Sequence, residues 1–453
     1  MTRLSKSTET AKHAPIGSKS SAAFARGRQV FPGGTTRVTV ERDPFPRYIS
    51  HGEGAYLVDL DGRRFLDLGA NFTTLIHGHA FAPVVEAVRR QMEIGTCFAH
   101  PTEVEIALAD LLCDRIPRLD KLRFVSTGTE AVMFAIKAAR AFTRRSAVAK
   151  FEGAYHGAYD WAEVSQSAVP DNWGPAEEPT AVPYYEGTPQ SVLDETLILR
   201  FNDAEGTARL IAEHADRLAA VIVDPMPSRA GLIAPKPTFI AALQNVCRSH
   251  NVVLISDEVL NLRQGYHGAS PRYGLEPDLI TLGKIIGGGL PIGAVGGRED
   301  IMAVFDAEAG GPSVPQGGTF SANPISLVAG LASMEVLDHA AFEQLDALGE
   351  HLRARLRAAI ASHDASFSVT GATSLFRLHP SRKAPESYRD AYLAPEGRSV
   401  MQAMTRHFAD HGILFPKAGV CCLSIPMRAE DVDLVADAFA DFLAGHPYAQ
   451  SAQ

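Results

Sequence analysis

The chain is poor in cysteine and tryptophan and has no long apolar run. Only five of its 453 residues are cysteines and two are tryptophans. The cysteines are odd in number and include no C-x-x-C pair, which argues against a disulfide framework and predicts reduced, buried thiols in a cytoplasmic protein: Cys97, Cys113, Cys247, Cys421 and Cys422. No apolar stretch approaches the roughly 18 residues of a membrane span, so we expect a soluble protein.

The chain also has fewer basic than acidic residues. Lys and Arg number 43 against 52 Asp and Glu, a formal charge of −9 that would repel a phosphate backbone, so we expect no nucleic-acid partner. The chain contains neither G-x-S-x-G nor H-E-x-x-H, and His77-Gly-His79 has no cysteine or carboxylate beside it. Hydrolase and metal chemistry therefore lack support, and no metal site is predicted.

What is present is an ordinary globular composition, with 46% apolar and 21% charged residues. Residues 1–28 are rich in Ser, Lys and Arg, which weakly resembles a transit peptide but is interpreted as a mobile N-terminal arm. Residues 31–34 form a turn signal, and residues 54–68 predict a hairpin around Asp61-Gly62.

From about residue 72, helical segments alternate with short apolar runs, which predicts an α/β fold with a mostly parallel central sheet flanked by helices. The predicted strands are residues 122–125, 147–151, 220–223, 252–256 and 279–282. A long excursion covers residues 165–195. Residues 326–362 and 429–444 predict helices. We divide the chain into an N-terminal segment that joins the small domain, a large domain and a C-terminal small domain: residues 1–70, 71–325 and 326–453.

The first candidate site follows the predicted strand at 122–125. Thr127, Gly128 and Thr129 lie where this strand turns into a helix, and a helix N-terminus offers amide donors and a positive dipole to a phosphate. The alternative is a plain helix cap, for which threonine followed by glutamate is equally suited.

Two further candidates end later strands. Asp257 lies at the carboxyl end of an apolar strand, where parallel sheets bind ligands, although a cap or ion pair would also explain it. Lys284 follows the next strand and precedes 13 uncharged residues, Ile285 to Gly297. Desolvation lowers the proton affinity of such a lysine, and its neutral amine can form a Schiff base. The alternative is a lysine that reaches from the strand end to solvent.

Two glycine-rich segments complete the set. Gly153-Ala-Tyr-His-Gly157 offers Tyr155 and His156 for stacking on an aromatic ring, or simply for local packing. Gln316-Gly-Gly-Thr-Phe-Ser-Ala-Asn-Pro324 lies at the boundary of the last predicted domain.

In this order the segments resemble the class III (subgroup II) pyridoxal-5′-phosphate aminotransferases of fold type I, in the branch of glutamate-1-semialdehyde aminomutase and the β-amino acid transaminases. The resemblance covers about residues 30–440. It depends on an acid, a lysine 27 residues later and then G-G-T-F-S-A-N-P.

The resemblance implies a cofactor, pyridoxal 5′-phosphate, and a role for each matching residue. Lys284 would hold the cofactor as a Schiff base and move the substrate proton, and Asp257 would pair with the pyridine nitrogen. Thr127, Gly128 and Thr129 would form the phosphate-binding turn.

The remaining positions follow from the same resemblance. Tyr155 would stack on one face of the cofactor ring and Val259 would pack against the other. His156 and Asn202 would lie nearby. Thr319 would reach the phosphate of the neighbouring subunit, which implies a homodimer with shared active sites.

Departures from the family pattern concern the substrate. Asp224-Pro225 replaces the usual Glu-Pro, and Lys417-Ala-Gly419 replaces both the aminomutase stretch and the arginine that some transaminases use for a carboxylate. Pro32-Gly-Gly-Thr-Thr-Arg37 is similar to the segment whose arginine binds the carboxylate in β-amino acid transaminases. Arg37 is therefore predicted to bind the substrate carboxylate.

These residues predict a transaminase that passes an amino group from a donor to a 2-oxo acid by a ping-pong mechanism. The donor is predicted to be a β-amino acid, possibly aryl-substituted. Two alternatives stay open: glutamate-1-semialdehyde 2,1-aminomutase, and a non-catalytic binding protein that keeps the fold.

Overall fold

The computed structural model describes residues 18–308, 310–417 and 419–446. Its strands, in chain order, are β1 (Ile49–Glu53), β2 (Tyr56–Asp59), β3 (Arg64–Asp67), β4 (Lys121–Val125), β5 (Ala147–Phe151), β6 (Thr196–Leu199), β7 (Leu218–Val223), β8 (Val253–Asp257), β9 (Leu279–Gly283), β10 (Gly293–Gly297), β11 (Ser368–Thr370), β12 (Leu375–His379), β13 (Ile413–Leu414) and β14 (Cys421–Cys422). The predicted hairpin is confirmed as β2 and β3, which pair antiparallel.

The helices surround these strands. They are α1 (Ser18–Val30), α2 (Ala70–Thr73), α3 (Ala82–Ile94), α4 (Glu103–Arg115), α5 (Gly128–Thr143), α6 (Asp160–Glu163), α7 (Gln190–Asp194), α8 (Ala204–Glu213), α9 (Pro237–His250), α10 (Glu299–Met302), α11 (Pro324–Glu335), α12 (His339–Ser362), α13 (Tyr388–Ala391), α14 (Pro395–Asp410) and α15 (Ala429–Gly445). Among the described residues, no single helix has the length and apolar character to cross a membrane, and only the bent pair α11 and α12 meets that test by length and composition.

A seven-stranded sheet forms the centre, in the order β4-β10-β9-β8-β7-β5-β6. Strands β5 to β9 are parallel, whereas β10 runs antiparallel to both of its neighbours. The predicted mostly parallel sheet is confirmed, and β6 and β10 are additional to the predicted strands. Because β10 reverses direction between β9 and β4, the carboxyl end of β4 lies at the same edge as those of β5 to β9.

Both faces of this sheet are buried, which explains its continuous apolar strands. Ile222 and Ile255 face the α5 side, and their chain neighbours Val221 and Leu254 face α8 and α9. Alternate side chains thus enter two separate cores, and an apolar residue is required at every position.

Two smaller sheets lie outside the central one, and the first of them combines the N-terminal and C-terminal segments. Strand β13 pairs parallel with β3 in a sheet ordered β1-β2-β3-β13, and β11, β12 and β14 form a second sheet. This arrangement agrees with a smaller α+β domain built from both ends of the chain, although the domain boundaries stay a prediction.

The N-terminal arm is the first correction. Its residues 18–28 belong to α1, so the expectation of a mobile arm is wrong there, while residues 1–17 lie outside the described part. Ser20 and Ala23 are buried, and the Ser20 hydroxyl oxygen accepts a hydrogen bond from the Tyr48 amide at 3.2 Å. Tertiary contact therefore orders a polar segment whose composition suggested mobility.

The cysteines give the second correction. All five are free thiols, and Cys247, Cys421 and Cys422 are buried as expected. The expectation of burial is wrong for half-buried Cys113 and for exposed Cys97. It lies beside the loop of Thr319, whose carbonyl oxygen is 3.8 Å from the Cys97 Sγ.

Element α2 is a left-handed turn rather than an ordinary helix. Ala70, Asn71, Phe72 and Thr73 have φ values of 41°, 49°, 56° and 70°. Left-handed geometry costs roughly 1–2 kcal/mol per non-glycine residue, and such strain persists only where surrounding contacts impose it. The turn leaves the Phe72 side chain 50% exposed.

The long excursion at residues 165–195 is anchored to the C-terminal segment. The Trp173 ring packs edge-on against Tyr388 and Tyr392, and Arg389 donates hydrogen bonds to the carbonyls of Trp173 and Gly174. Arg389 also forms an ion pair with buried Glu152. The excursion therefore packs against α13, and Arg389 of α13 connects it to Glu152, which directly follows β5.

Candidate active site

The predicted site residues follow the carboxyl ends of neighbouring strands, where parallel sheets place their ligands. The turn at Thr127 follows β4, Tyr155 and His156 follow β5, Asp257 ends β8 and Lys284 follows β9. Because these strand ends share one edge, residues distant in sequence become neighbours.

The Asp257 side chain has hydrogen-bond partners at both of its carboxylate oxygens. Its Oδ2 lies 2.7 Å from Nδ1 of buried His156, and its Oδ1 accepts hydrogen bonds from Thr281 Oγ1 at 3.1 Å and the Val259 amide at 3.0 Å. Burial raises the pKa of Asp257, but the hydrogen bonds from His156 and the Val259 amide, together with the charge of Lys284, outweigh burial and hold that pKa below its usual range. The carboxylate is therefore a buried anion.

His156 is fixed by this contact. Burial lowers its pKa, against the opposing effect of Asp257, so the ring is neutral and donates from Nδ1 to the carboxylate. Its Nε2 is buried and has no hydrogen-bond partner among the described residues. A buried polar atom without a partner is rare, so this acceptor is left for a group that the described chain does not supply.

Lys284 begins a 3₁₀ turn directly after β9 and has a φ of 49°. Desolvation lowers the pKa of its amine, partly offset by the charges of Asp257 and Asp224. A positive φ in a lysine is unusual and indicates that its position is imposed by function or packing. A buried amine with a lowered pKa is the kind of nucleophile that Schiff-base chemistry needs, so the structure is consistent with the predicted role of Lys284, which stays a prediction.

The turn after β4 is a helix cap and also has free amide donors for a phosphate, the two alternatives that its sequence left open. Thr127 caps α5, its Oγ1 accepting from the Glu130 amide at 3.1 Å, and Glu130 accepts from the Ser126 amide at 2.7 Å. Within the described residues, the amides of Gly128 and Thr129 have no acceptor. The cap thus leaves two donors at the positive end of a helix, which suits a phosphate.

Close packing shapes this cradle. A Cβ on Gly128 would lie 2.9 Å from Val259 Cγ1, and one on Gly157, whose φ is 87°, would lie 2.4 Å from Thr129 Oγ1. Val259 is therefore seated against the predicted phosphate turn. Tyr155 lies on the loop before Gly157 with 48% of its surface exposed. An exposed aromatic ring held in a tight loop is available for stacking.

Asp224 is a site residue whose role the sequence left in doubt. It is buried and accepts hydrogen bonds from Asn261 Nδ2 and the Met226 amide. Burial, together with the charge of Asp257, raises its pKa to about 8. Two carboxyls close together in a buried site do not both ionise, so Asp224 holds a proton near neutrality and Asp257 does not. Its sequence signals are its place directly after β7 and the Asp224-Pro225 pair that stands where the family has Glu-Pro.

Two predicted residues have other contacts. The Asn202 side chain donates to the Ala234 carbonyl at 3.2 Å and accepts from the Lys236 amide at 2.8 Å, which ties two loops together. Thr319 lies exposed on a surface loop. Neither is brought against Asp257 by a described contact, so both assignments stay predictions.

Arg37 is exposed beside the left-handed turn. Its Nη1 donates to Asn71 Oδ1 at 3.0 Å and its guanidinium carbon lies 5.6 Å from the centre of the Phe72 ring. No carboxylate of the described chain forms an ion pair with it. The structure thus combines a free cation with an exposed aromatic ring.

One histidine and carboxylate cluster lies elsewhere, on α14 and α15. His407, His411 and Asp441 bring their ligand atoms within 4.8 Å of one another. The His407 Nε2 faces the Ala438 carbonyl at 3.0 Å and must donate a proton there, which removes its lone pair from metal binding.

Comparison with known proteins identifies the family of the chain. The aminotransferase class-III family model matches residues 38–443. A relative from Methanothermobacter thermautotrophicus, named glutamate-1-semialdehyde 2,1-aminomutase, is 36% identical over 94% of this chain and 99% of its own length. An omega-transaminase structure from Sphaerobacter thermophilus is 47% identical, with a TM-score of 0.92 over 94% of this chain and 98% of that one. The structure of a β-phenylalanine aminotransferase from Variovorax paradoxus is 31% identical, with a TM-score of 0.85 over 95% of both chains.

The chain belongs to the class III aminotransferases. It is a pyridoxal-phosphate-dependent enzyme of fold type I, and solved relatives contain this cofactor or its amine form. The residues present fit the cofactor: a buried anion for its ring nitrogen, an unpartnered His156 Nε2 beside that anion, two free amides for its phosphate and the amine of Lys284.

Proposed function

We propose that this enzyme transfers the amino group of a β-amino acid, with an aryl-substituted substrate favoured, to a 2-oxo acid in a ping-pong cycle. The observation that carries the proposal is the pairing of exposed Arg37 with exposed Phe72 on a strained turn. A guanidinium binds a carboxylate in a bidentate manner, and a phenyl ring next to it accepts an aryl group. The likeness to a β-phenylalanine aminotransferase supports this choice.

The chemistry at the buried end of the site is assigned as follows. When bound, the cofactor supplies an electron sink for the negative charge that develops at the substrate carbon. Asp257 stays ionised and holds a proton on the ring nitrogen. The Lys284 amine, whose pKa is lowered by burial, binds the cofactor and then takes and returns the substrate proton.

The turn after β4 and the loop after β5 orient the cofactor. The amides of Gly128 and Thr129, with the hydroxyls of Thr127 and Thr129, bind its phosphate at the start of α5. Tyr155 and Val259 cover the two ring faces, and neutral His156 keeps the Asp257 carboxylate in place. Asn202 acts through the loops that it joins.

We further propose a homodimer in which Thr319 completes the partner's phosphate site. Apolar side chains are exposed along α3 and the adjacent loop, notably Met92, Ile94 and Phe98, together with Phe320 beside Thr319. The Asn323 side chain, which donates to the Thr96 carbonyl at 3.0 Å, joins these segments into one surface. Exposed apolar surface of this kind marks a protein interface.

Light scattering of Ile94→Asp tests the dimer, with Leu434→Asp on α15 as the matched exposed control. We expect Ile94→Asp to be monomeric with weakened cofactor retention and Leu434→Asp to stay dimeric. A dimeric Ile94→Asp would contradict the interface. We assign the enzyme to the cytoplasm, which its free cysteines support.

The aminomutase is the second candidate, because relatives of 36% identity carry that name. It would use the same buried groups but would retain its intermediate until the amino group returns to the same molecule. The transaminase is favoured because Lys417 lies where the aminomutase stretch is expected and Arg37 offers a carboxylate site.

Absorption spectroscopy of the purified holoenzyme separates the candidates. With 3-amino-3-phenylpropanoate, we expect the yellow colour of the bound cofactor to bleach and then return on addition of a 2-oxo acid. Turnover of glutamate-1-semialdehyde without an added acceptor would instead favour the aminomutase. A protein that takes up no pyridoxal phosphate would contradict both.

A further inference from the structure

Arg229 is a charged residue at the sheet edge that the mechanism does not use. It lies on the loop that follows β7, five residues after Asp224. Its guanidinium carbon lies 5.5 Å from the centre of the Tyr155 ring. The loop therefore brings a cation directly beside the exposed aromatic side chain of the site.

The backbone of this loop is fixed by hydrogen bonds from buried Arg377 and half-buried Thr370. Arg377 on β12 donates to the carbonyls of Ser228 at 2.7 Å and Arg229 at 3.3 Å, and Thr370 Oγ1 donates to the Gly231 carbonyl at 2.7 Å. Burial lowers the pKa of Arg377 only to about 10, so it remains charged and holds these carbonyls. The Arg229 side chain thus projects from a rigid base.

The Arg229 guanidinium itself is barely engaged. Its one hydrogen bond is a long contact of 3.4 Å to Ser167 Oγ, and no carboxylate in the described part of the chain forms an ion pair with it. Nearby Arg389 shows the contrast, because it is paired with Glu152 at 2.9 Å. An arginine on a rigid loop with unused donors is prepared to bind an anion.

A second cation reinforces the positive potential around Arg229. Buried Arg377 stays charged, and after burial the charge of Arg229 also lowers the pKa of Arg377. Burial and then the charge of Arg229 lower the pKa of Lys150 to about 7, so this amine adds little positive charge above that pH. A small carboxylate bound by Arg229 would reduce the repulsion between the two guanidinium groups.

We propose that Arg229 binds the C1 carboxylate of the 2-oxo acid acceptor. This rests on the proposed transamination and adds the residue that recognises its second substrate. In a 2-oxo acid the carboxylate is attached directly to the reacting carbon, whereas in a β-amino acid it is one carbon farther away. Two carboxylate positions call for two cations, Arg229 beside Tyr155 and Arg37 beside Phe72.

Half-reactions measured separately test this division. In Arg229→Gln we expect the concentration of pyruvate or 2-oxoglutarate needed for half-maximal reoxidation of the amine form to rise about 10- to 100-fold, the loss expected for hydrogen bonds to a charged group. The donor half-reaction with 3-amino-3-phenylpropanoate should change less than about twofold. The surface variant Arg382→Gln is the control and should change neither.

Binding without chemistry gives an independent readout. Calorimetric titration of the holoenzyme with oxamate, an unreactive 2-oxo acid mimic, should weaken in Arg229→Gln, while 3-phenylpropanoate should still bind. Arg37→Ala should show the reverse pattern. Arg229→Lys keeps the charge but loses the bidentate contact, so its affinity for oxamate should lie between those of the unmodified enzyme and Arg229→Gln. Such a partial recovery would show that the loss in Arg229→Gln does not come from a folding defect.

Unchanged oxamate binding in Arg229→Gln would overturn the proposal. So would a loss confined to 2-oxoglutarate, because that would assign Arg229 to the distal carboxylate. An equal loss in both half-reactions would show a structural role and overturn it as well. Failure of 3-amino-3-phenylpropanoate to react with the unmodified enzyme would instead contradict the proposed function.

Discussion

The proposed site has two regions with different electrostatics. In the buried region, formed by Asp257, His156, Asp224 and Lys284, each charge faces an opposing group and each pKa is shifted. In the outer region, formed by Arg37 and Arg229 with their aromatic neighbours, the cations have no ion-pair partner within the described chain.

This difference separates chemistry from recognition. Groups that carry out proton transfer need a fixed environment, which the protein supplies from its own side chains. Groups that bind substrates need unused donors, which are satisfied only when the substrate arrives. Changes in the buried region should therefore affect every substrate alike, and changes in the outer region should distinguish among substrates.

The largest effect is expected for Lys284→Ala, because the proposed mechanism assigns both cofactor binding and proton transfer to this one amine. Stopped-flow bleaching with any donor should slow by about a thousandfold or more. Lys383→Met, on the surface, is the control. A rate within tenfold of the unmodified enzyme would assign the chemistry to another base.

The second-largest effect is expected for Asp257→Asn. It keeps the shape of the side chain but removes the buried anion, so the donor and acceptor half-reactions should both slow by about a hundredfold or more. Titration of the bound cofactor by absorbance should shift as well, because its ring nitrogen loses its partner. An effect on one half-reaction alone would contradict placing Asp257 in the buried region.

Arg37→Ala should have a selective effect. The KM of carboxylate donors should rise about 10- to 100-fold, whereas 1-phenylethylamine, which has no carboxylate, should be used as before. Steady-state kinetics with the two donors measures the difference. Equal losses for both donors would show that Arg37 supports the left-handed turn instead of binding substrate.

The smallest effect concerns stability. Lys150 is fully buried and donates to the carbonyls of Ala154 at 3.0 Å and Val164 at 2.6 Å, at the two ends of the loop that bears Tyr155. Burial and then the charge of Arg229 lower its pKa to about 7, opposed by Glu163. Above that pH the unfolded chain holds a proton that the folded chain lacks, so folding gains stability as pH rises.

The test compares the unmodified protein with Lys150→Met in urea titrations at about pH 8 and about pH 9. The difference in unfolding free energy should shift by about 1 kcal/mol per pH unit in favour of the unmodified protein. Lys383→Met, exposed and remote, should show no such trend. A pH-independent difference would mean that Lys150 stays charged when folded.

Much of the fold could be predicted because its strands are continuous apolar runs ended by polar residues. All five predicted strands are present, each within two residues of its predicted bounds. Strand β10 was missed because Gly293–Gly297 is glycine-rich, and its neighbours rather than its propensity make it a strand. Helix α1 was missed because contacts with Tyr48 and Gly34 order it.

The places of Lys284 and Asp257 could be predicted because a lysine or an aspartate at the end of an apolar strand indicates a particular chemistry. The roles of both residues stay predictions. Arg229 gave no such signal, because an unpaired arginine can be recognised only when its surroundings are known. The protonated state of Asp224 depends on its proximity to Asp257, which is 33 positions away in sequence. The strain at Asn71 and Phe72 is equally invisible in their residue types.

The parallel pairing of β3 with β13 has a consequence for synthesis. Ile413 pairs with Leu66. The hairpin is synthesised early, and the edge of β3 stays unpaired until β13, near the end of the chain, has been synthesised. An uncovered edge is open to pairing with other chains. Truncated chains that end before β13 should therefore depend strongly on chaperones, and the smaller domain should be the last part of the molecule to form.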